Sequence, residues 1–421
     1  MKTTNLKNKK IAILGFGREG KSLLKFFEKN NLQANIKILD QKKDKNYLKK
    51  IKDFDVVYRS PGIPYNLPEI QKAIKKGIEI SSVTKLFFEK TKNKIIGITG
   101  TKGKGTTVTL LYKILKFCGK DVYLAGNIGK SPLEILPRIK KNSLIILELS
   151  SFQLQDLKKS PSLAAILEIF PDHLDSHKRF KEYLNAKSNI AKWQKKSDKV
   201  FYFKNDKYSK QIALKSKGEK NQIAVGNFKL FKQKDLKTPG FHNFKNAAMA
   251  SSIALYLKCP KEKILKIVKN FSGNEHRLEF VKKIKNVSFY NDSASTNPQT
   301  AIAAINAFKE PKILIAGGKD KKLDYSPLKK ALKKSNTEII ILFGENKNKI
   351  KKQITKSDKN IVLTKNLKSA IKLAYLTAQK LNSQLSKSII ILFSPASASF
   401  DMFKDYADRG NKFKDYIKKL K

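Results

Sequence analysis

The sequence predicts an α/β protein of three consecutive domains built on parallel sheets. Short β-branched runs alternate with helix-forming segments from one end of the chain to the other, the pattern of parallel strands joined by helical crossovers. Two of these runs open into glycine-rich turns of different kinds, Gly15-Phe-Gly17-Arg-Glu-Gly20 and Gly100-Thr-Lys-Gly-Lys-Gly105. The length, 421 residues with a 40% apolar fraction, suits two or three domains with real cores.

The first block, residues 1–91, opens with the strand Lys10 to Leu14, the first glycine turn and a helix to about Lys29. A second strand, Ile36 to Leu39, ends at Asp40. G-x-G-x-x-G with an acid about twenty positions on is a dinucleotide-type fingerprint. The glycines let the backbone approach a diphosphate at a helix N-terminus, and the acid meets a ribose or base. NAD and other diphosphate ligands fit this equally. Asp55 to Tyr58 then runs into Ser60-Pro-Gly62-Ile63, a tight turn where a ligand can lie. The domain is expected to be Rossmann-like.

The second block, residues 92–275, is expected to be an ATPase domain of P-loop type around a parallel sheet. Ile95 to Thr99 reads as a buried strand, and Val108 to Phe117 as a helix. Between them Gly100, Gly103 and Gly105 allow a tight turn with N–H groups aimed at an anion; Thr101 and Lys102 complete it. Lys104 adds positive charge, and Thr106 or Thr107 offers a hydroxyl to Mg²⁺. The spacing departs from G-x-x-x-x-G-K-[ST]: Ile98 stands at the first glycine and Gly105 at the hydroxyl. Strands Leu144 to Leu149 and Ala164 to Ile169 each end in a polar cluster. Glu148, at the carboxyl end of a strand beside a phosphate loop, suits Mg²⁺, and His173 offers a second ligand. His177 reads as structural. Lys187, between Ala186 and Ser188 on a helix, is by composition one more surface lysine. A helix begins near His242, and a linker spans Phe271 to Glu275.

The third block, residues 276–421, holds strands Val287 to Tyr290, Ile313 to Ala316, Ile339 to Phe343 and Ile389 to Phe393 with helices between, again a Rossmann-like α/β pattern.

The net charge of +54 raises the question of nucleic acid. Arginine is confined to positions 18, 59, 138, 179, 277 and 409, and the lysine excess is spread over the whole chain. Base readout favours arginine, and DNA-binding domains concentrate their charge. No specific nucleic-acid partner is therefore expected. Two cysteines without a CxxC, no amino-terminal signal segment and no apolar run approaching 18 residues point to the cytoplasm, without a membrane partner.

The order of motifs carries more. GITGTKGKGTT, Gly126-Asn-Ile-Gly129, LELSSFQL, PDHLD, YLNAK, His242-Asn-Phe-Lys-Asn246, His276-Arg-Leu-Glu279, Asn291-Asp-Ser-Ala-Ser-Thr-Asn297 and Gly317-Gly-Lys-Asp-Lys321 together resemble the Mur ligases. These build the peptide stem of the bacterial cell wall, on which cell shape and division depend. The resemblance covers essentially the whole chain. GFGREG, SPGI, GGKDKKLDYSPL and Ser394-Pro-Ala-Ser-Ala-Ser399-Phe-Asp401 favour a member that adds glutamate, expected as the D isomer, to UDP-N-acetylmuramoyl-L-alanine. It implies an ATP-dependent amide ligase with an acyl-phosphate intermediate, working as a monomer with a pair of Mg²⁺ ions. A folylpolyglutamate synthetase shares the fold but is disfavoured by the GFGREG domain. A nicotinamide dehydrogenase is disfavoured by the second nucleotide loop.

By this resemblance Gly15, Phe16 and Asp40 lie near the uridine, and Ser60 and Gly62 near the diphosphate. Asn127, Ser150 and Gln153 complete the UDP-substrate site. Lys104 holds the β- and γ-phosphates, while Thr106, Glu148, His173 and a carbamylated Lys187 hold metal. Asn246 faces adenine, Arg277 reaches the phosphates and Asp292 the ribose. Thr296, Lys321, Ser399 and Tyr406 surround the glutamate. Two departures stand out. The family has asparagine and serine where this chain has Lys102 and Gly105, and a lysine where it has Ala294. Lys102 is expected to supply the cation that Ala294 lacks.

Overall fold

The computed structural model describes residues 6–177, 179–321 and 323–420. The chain divides into two compact units, Met1–Lys232 with Phe244–Val268, and Gln233–Asn243 with Lys269–Lys421.

The first unit contains two sheets. Strands β1 (Lys10–Leu14), β2 (Asn35–Leu39), β3 (Val56–Arg59) and β4 (Glu79–Ser81) form one, in the order β2-β1-β3-β4, parallel throughout. β1 is buried from Ile11 to Leu14 and β3 along its whole length, as expected of central strands covered on both faces. The second sheet holds β5 (Lys94–Thr99), β6 (Val122–Gly126), β7 (Leu144–Glu148), β8 (Leu163–Ile166), β9 (Lys199–Phe203) and β10 (Glu219–Ile223). Its order is β10-β9-β8-β5-β7-β6, again all parallel. After β5 the chain runs to the edge strand β6, returns to β7 on one side of β5, and then crosses to β8 on the other. Such a switch point opens a crevice beyond the strand's carboxyl end, and the phosphate loop lies there.

The second unit has one six-stranded sheet: β11 (Glu279–Ile284), β12 (Val287–Asn291), β13 (Lys312–Gly317), β14 (Thr337–Phe343), β15 (Asn360–Leu363) and β16 (Ile389–Phe393). Its order is β11-β12-β16-β13-β14-β15. The expectation of parallel sheets throughout is corrected here, because β11 pairs antiparallel with β12. The hairpin turns at Lys285, which has a left-handed φ of 48°. β11 is rich in charge and only partly buried, so it gives no apolar run to read. β15, a half-exposed edge strand of four residues, is too short to stand out as a strand in the sequence.

Two boundaries also move. The strand read to Ile169 stops at Ile166, so His173 sits in a loop well past the sheet. The helix read from Val108 begins at Lys104, with Gly103 as its N-cap. The lysine of the loop is thus the first helical residue, at the helix end where N–H groups favour negative charge.

Candidate active site

At the first sheet the glycine turn and two strand ends converge. Gly15 has φ +87°, and Ser60 Oγ donates to its carbonyl at 2.7 Å. A Cβ on Gly20 would collide with the same carbonyl, which explains the glycine where the helix packs on the turn. Asp40 accepts from Phe16 N at 2.7 Å and from Lys42 N at 2.9 Å. These two N–H groups, Phe16 first, hold its carboxyl below the usual carboxylate range. Gly15, Phe16, Asp40 and Ser60 therefore form one cluster, with the acid ionised. Gly62 lies exposed beside it with open space at its Cβ position.

In the phosphate loop the glycines at 100 and 103 are required by geometry. Gly103 has φ +83°, and a Cβ there would strike the Asn246 carboxamide. Asn246, from the helix Phe241–Tyr256, is buried directly on the loop backbone. A Cβ on Gly100 would press on Leu167 at 2.6 Å. Thr101 is anchored by N–H donation to Glu168 O and by its hydroxyl on Phe170 O and Tyr183 OH. Lys104 Nζ reaches the carbonyls of Gly100 and Thr101, both at 3.0 Å, and caps its own loop. Thr107 is fully buried and donates to Gly103 O, whereas Thr106 is only half-buried. Gly105 occupies the first turn of the helix, and Lys102 is exposed with its ammonium 5.6 Å from the Phe170 ring centre.

Lys187 is not a surface lysine. It is 1% exposed, on the helix Phe180–Lys192, and points at the end of β5. Its Nζ donates to Gly100 O at 2.8 Å and Thr99 Oγ1 at 3.3 Å, and lies 4.7 Å from the Tyr183 ring centre. Burial pushes its pKa well below the ordinary lysine value, helped by the Lys104 ammonium and opposed by Asp172 and Glu148. Glu148, 5% exposed at the end of β7, accepts from Asn127 Nδ2 at 2.8 Å. Asn127 N also donates to Glu148 O. Asn127 thus orients the carboxylate, a role additional to the substrate contact expected of it.

His173 has φ +53° and a half-exposed ring, paired with Asp172 at 3.7 Å and edge-on to Phe152. His177 is buried, stacked on Phe152 and bonded to Ser151 Oγ at 3.0 Å, a structural position as expected. Among the described residues no three His, Cys, Asp or Glu side chains cluster closely enough to cage an ion. Ser150 and Gln153 cap the short helix Ser151–Leu154 reciprocally.

In the second unit Asp292 follows β12. It accepts from Ser394 Oγ at 2.7 Å and Leu278 N at 3.2 Å, while burial pushes its carboxyl up to about 7. Arg277, exposed, lies within its electrostatic reach. The segments expected around glutamate are tied together. Lys319 N donates to Ala398 O, Ser293 Oγ to Tyr406 O, and the Lys321 ammonium stands 5.6 Å from the Phe400 ring centre. Ser399 is buried, Tyr406 is 43% exposed, and Thr296 is half-buried before the helix Pro298–Ile305.

Three arginines and a tyrosine were missed. Arg18 donates to the carbonyls of Gly126, Asn127 and Gly129. Arg59, 2% exposed, bonds Ile63 O and Phe152 O and pairs with Asp156 at 3.3 Å. Arg409, fully buried, holds Ser293 and Ala398 O. Tyr183 packs against Lys187 and bonds Thr101. The scarcity of arginine among 89 basic residues is the one sequence signal that marks the first three. A guanidinium is the cation suited to several buried carbonyls.

Residues 98–238 match the model of the Mur ligase middle domain, and residues 276–394 that of the Mur ligase glutamate ligase domain. UDP-N-acetylmuramoylalanine--D-glutamate ligase of Acetivibrio thermocellus is 35% identical over 99% of this chain and 97% of its own. The crystal structure of the UDP-N-acetylmuramate-alanine ligase of Thermotoga maritima superposes with a TM-score of 0.59, over 98% of this chain and 100% of its own, at 18% identity. A MurF ligase of Thermotoga maritima, solved in complex with ADP, gives a TM-score of 0.55 at 16% identity, over 99% of this chain and 97% of its own. At these identities the structural likeness is one of fold.

Proposed function

On the premise that this chain belongs to the Mur ligase family, we propose how its own residues carry out the reaction. The chain is an ATP-dependent ligase of peptidoglycan precursor synthesis that joins D-glutamate to UDP-N-acetylmuramoylalanine. The finer reading divides it into a UDP-substrate domain (1–91), an ATP-binding domain (92–275) and an amino-acid domain (276–421), acting as a cytoplasmic monomer.

The observation that supports the mechanism best is the buried Lys187 on the phosphate loop, with Lys104 sharing the Gly100 carbonyl. A carboxylate is a poor electrophile. ATP converts the alanine carboxylate to an acyl phosphate, which the glutamate amine attacks, and phosphate leaves. Phosphoryl transfer needs positioning and neutralised charge more than covalent help. Lys104 releases its loop carbonyls to take the β- and γ-phosphates. Bound Mg²⁺ would supply Lewis-acid charge neutralisation. Thr106, Glu148, His173 and Lys187 are the residues that would hold it. Lys187 serves as a carbamate, because only a neutral amine adds CO₂ and burial favours the neutral form. Asn246 and Asp292 orient the adenosine, with Arg277 at the phosphates. Gly15, Phe16, Asp40, Ser60, Gly62, Asn127, Ser150 and Gln153 hold the UDP-sugar. Thr296, Lys321, Ser399 and Tyr406 receive the amino acid, with Lys321 pairing a carboxylate. The test is phosphate release from ATP with UDP-N-acetylmuramoyl-L-alanine, comparing D-glutamate, L-glutamate and other amino acids. Release that is equal without amino acid, or equal for every amino acid, would refute the assignment.

Lys102 is the proposed source of the cation that Ala294 lacks. A preorganised charge at the transferring phosphate is worth roughly 3–4 kcal/mol, about 10²–10³ in rate. Lys102→Asn is expected to lose most of its activity, and Ala294→Lys to restore a good part of it in the double variant. A Lys102→Asn enzyme within a few-fold of wild type, or a double variant no better than the single, sinks the idea.

A further inference from the structure

Glu19 sits in the first turn of the helix Arg18–Lys29, behind the first glycine turn, and no role above uses it. It is 8% exposed. Its Oε1 accepts from Gln153 Nε2 at 2.9 Å, and its Oε2 is buried without a hydrogen-bond partner among the described residues. Gln153 Oε1 in turn accepts from both Ser150 N at 3.0 Å and Ser150 Oγ at 3.1 Å. Ser150 Oγ accepts from Gln153 N at 3.3 Å. One chain of bonds therefore runs from the first sheet's helix to the turn that follows Glu148.

The carboxylate does something an apolar filler cannot. A glutamine side-chain amide is nearly symmetric in shape, and its last torsion is broad and roughly two-fold. Either end can face either way unless the partners decide. Ser150 donates from both its N–H and O–H and so demands the oxygen. Glu19 accepts only, when ionised, and so demands the nitrogen. The two partners lock one orientation. Leaving a carboxylate oxygen buried and unpartnered is costly, and burial pushes the Glu19 carboxyl upward against Gln153, Arg18 and Arg59. An apolar residue of similar size would fill the space at lower cost. Direction is what the charge adds.

We propose that Glu19 is a positioning residue for the UDP-sugar substrate, fixing which end of Gln153 faces it and, through Gln153 Oε1, the Ser150 hydroxyl. This rests on the reading that Ser150 and Gln153 contact that substrate.

The experiment uses the full chain, with KM for each of the three substrates, kcat and the thermal midpoint measured for Gln153→Ala, Glu19→Ala, Glu19→Gln and the double variant. Glu19→Ala is expected to raise KM for the UDP-sugar roughly tenfold, the worth of a hydrogen bond to a charged group. The KM values for ATP and glutamate, and kcat, should stay within about twofold. Glu19→Gln, which can still accept but no longer only accept, should fall between Glu19→Ala and wild type. The double variant should be no worse than Gln153→Ala alone. Should Glu19→Ala fail to fold, Glu19→Leu takes its place with the same criteria. If Gln153→Ala raises the UDP-sugar KM and the Glu19 variant does not, the inference is wrong. It is equally wrong if the Glu19 variant lowers the thermal midpoint and shifts all three KM values alike, since that is a structural defect. If Gln153→Ala leaves the UDP-sugar KM unchanged, the substrate reading itself fails, and the inference with it.

Discussion

Lys187→Ala is expected to fold and to be almost inactive, with turnover down by about 10²–10³, the scale of losing one preorganised electrostatic group in a dry site. Short carboxylates such as formate or acetate should restore part of it. The rescue follows from the geometry. Lys187 is 1% exposed and bonded to Thr99 and Gly100 at the base of the phosphate loop. Truncation leaves a cavity there of the size of a small anion, beside Lys104, whose ammonium is within electrostatic reach. If the working group is a carbamate, a free carboxylate can stand where its oxygens stood. If the working group is the ammonium, acetate should inhibit and methylamine should rescue instead. Steady-state phosphate release across a concentration series of each additive separates the two. A fully active variant would reduce Lys187 to a packing residue.

Glu148→Ala should cost a similar factor and raise the Mg²⁺ concentration needed for half-maximal rate. Glu148→Gln is the sharper variant, because its amide oxygen can keep the Asn127 bond seen at 2.8 Å while the charge is lost. Breaking only the geometry and removing only the charge are thus separable. Asn127→Ala keeps the charge and frees the carboxylate, so its loss should be the smaller one, on the order of 1–3 kcal/mol for an orphaned buried acceptor. Turnover near wild type in Glu148→Gln at limiting Mg²⁺ would remove Glu148 from the metal site.

Much of this site was legible in the chain. Strands ending in glycine turns, Glu148 at a strand end and Asp40 after β2 are local patterns, and period and turn chemistry belong to the residues themselves. Lys187 was legible only through its motif. Among so many lysines nothing in its own neighbourhood set it apart, and its burial comes from the packing of the helix Phe180–Lys192 against β5 and the phosphate loop. Arg18, Arg59 and Arg409 lay hidden for the same reason: each holds a backbone carbonyl distant in sequence.

What the sequence determined by itself was the α/β class, the two glycine turns and the acids at strand ends, because each depends on residues within one element and its turn. Tertiary structure alone decided three other matters. The antiparallel β11 is set by pairing with β12, since a charged, half-buried strand has no apolar pattern of its own. The engagement of the Thr107 hydroxyl, and not that of Thr106, is set by the Gly103 carbonyl to which it donates. The downward push on the Lys187 pKa and the upward push on that of Asp292 come from desolvation, a property of everything packed around a group and of nothing in its own side chain.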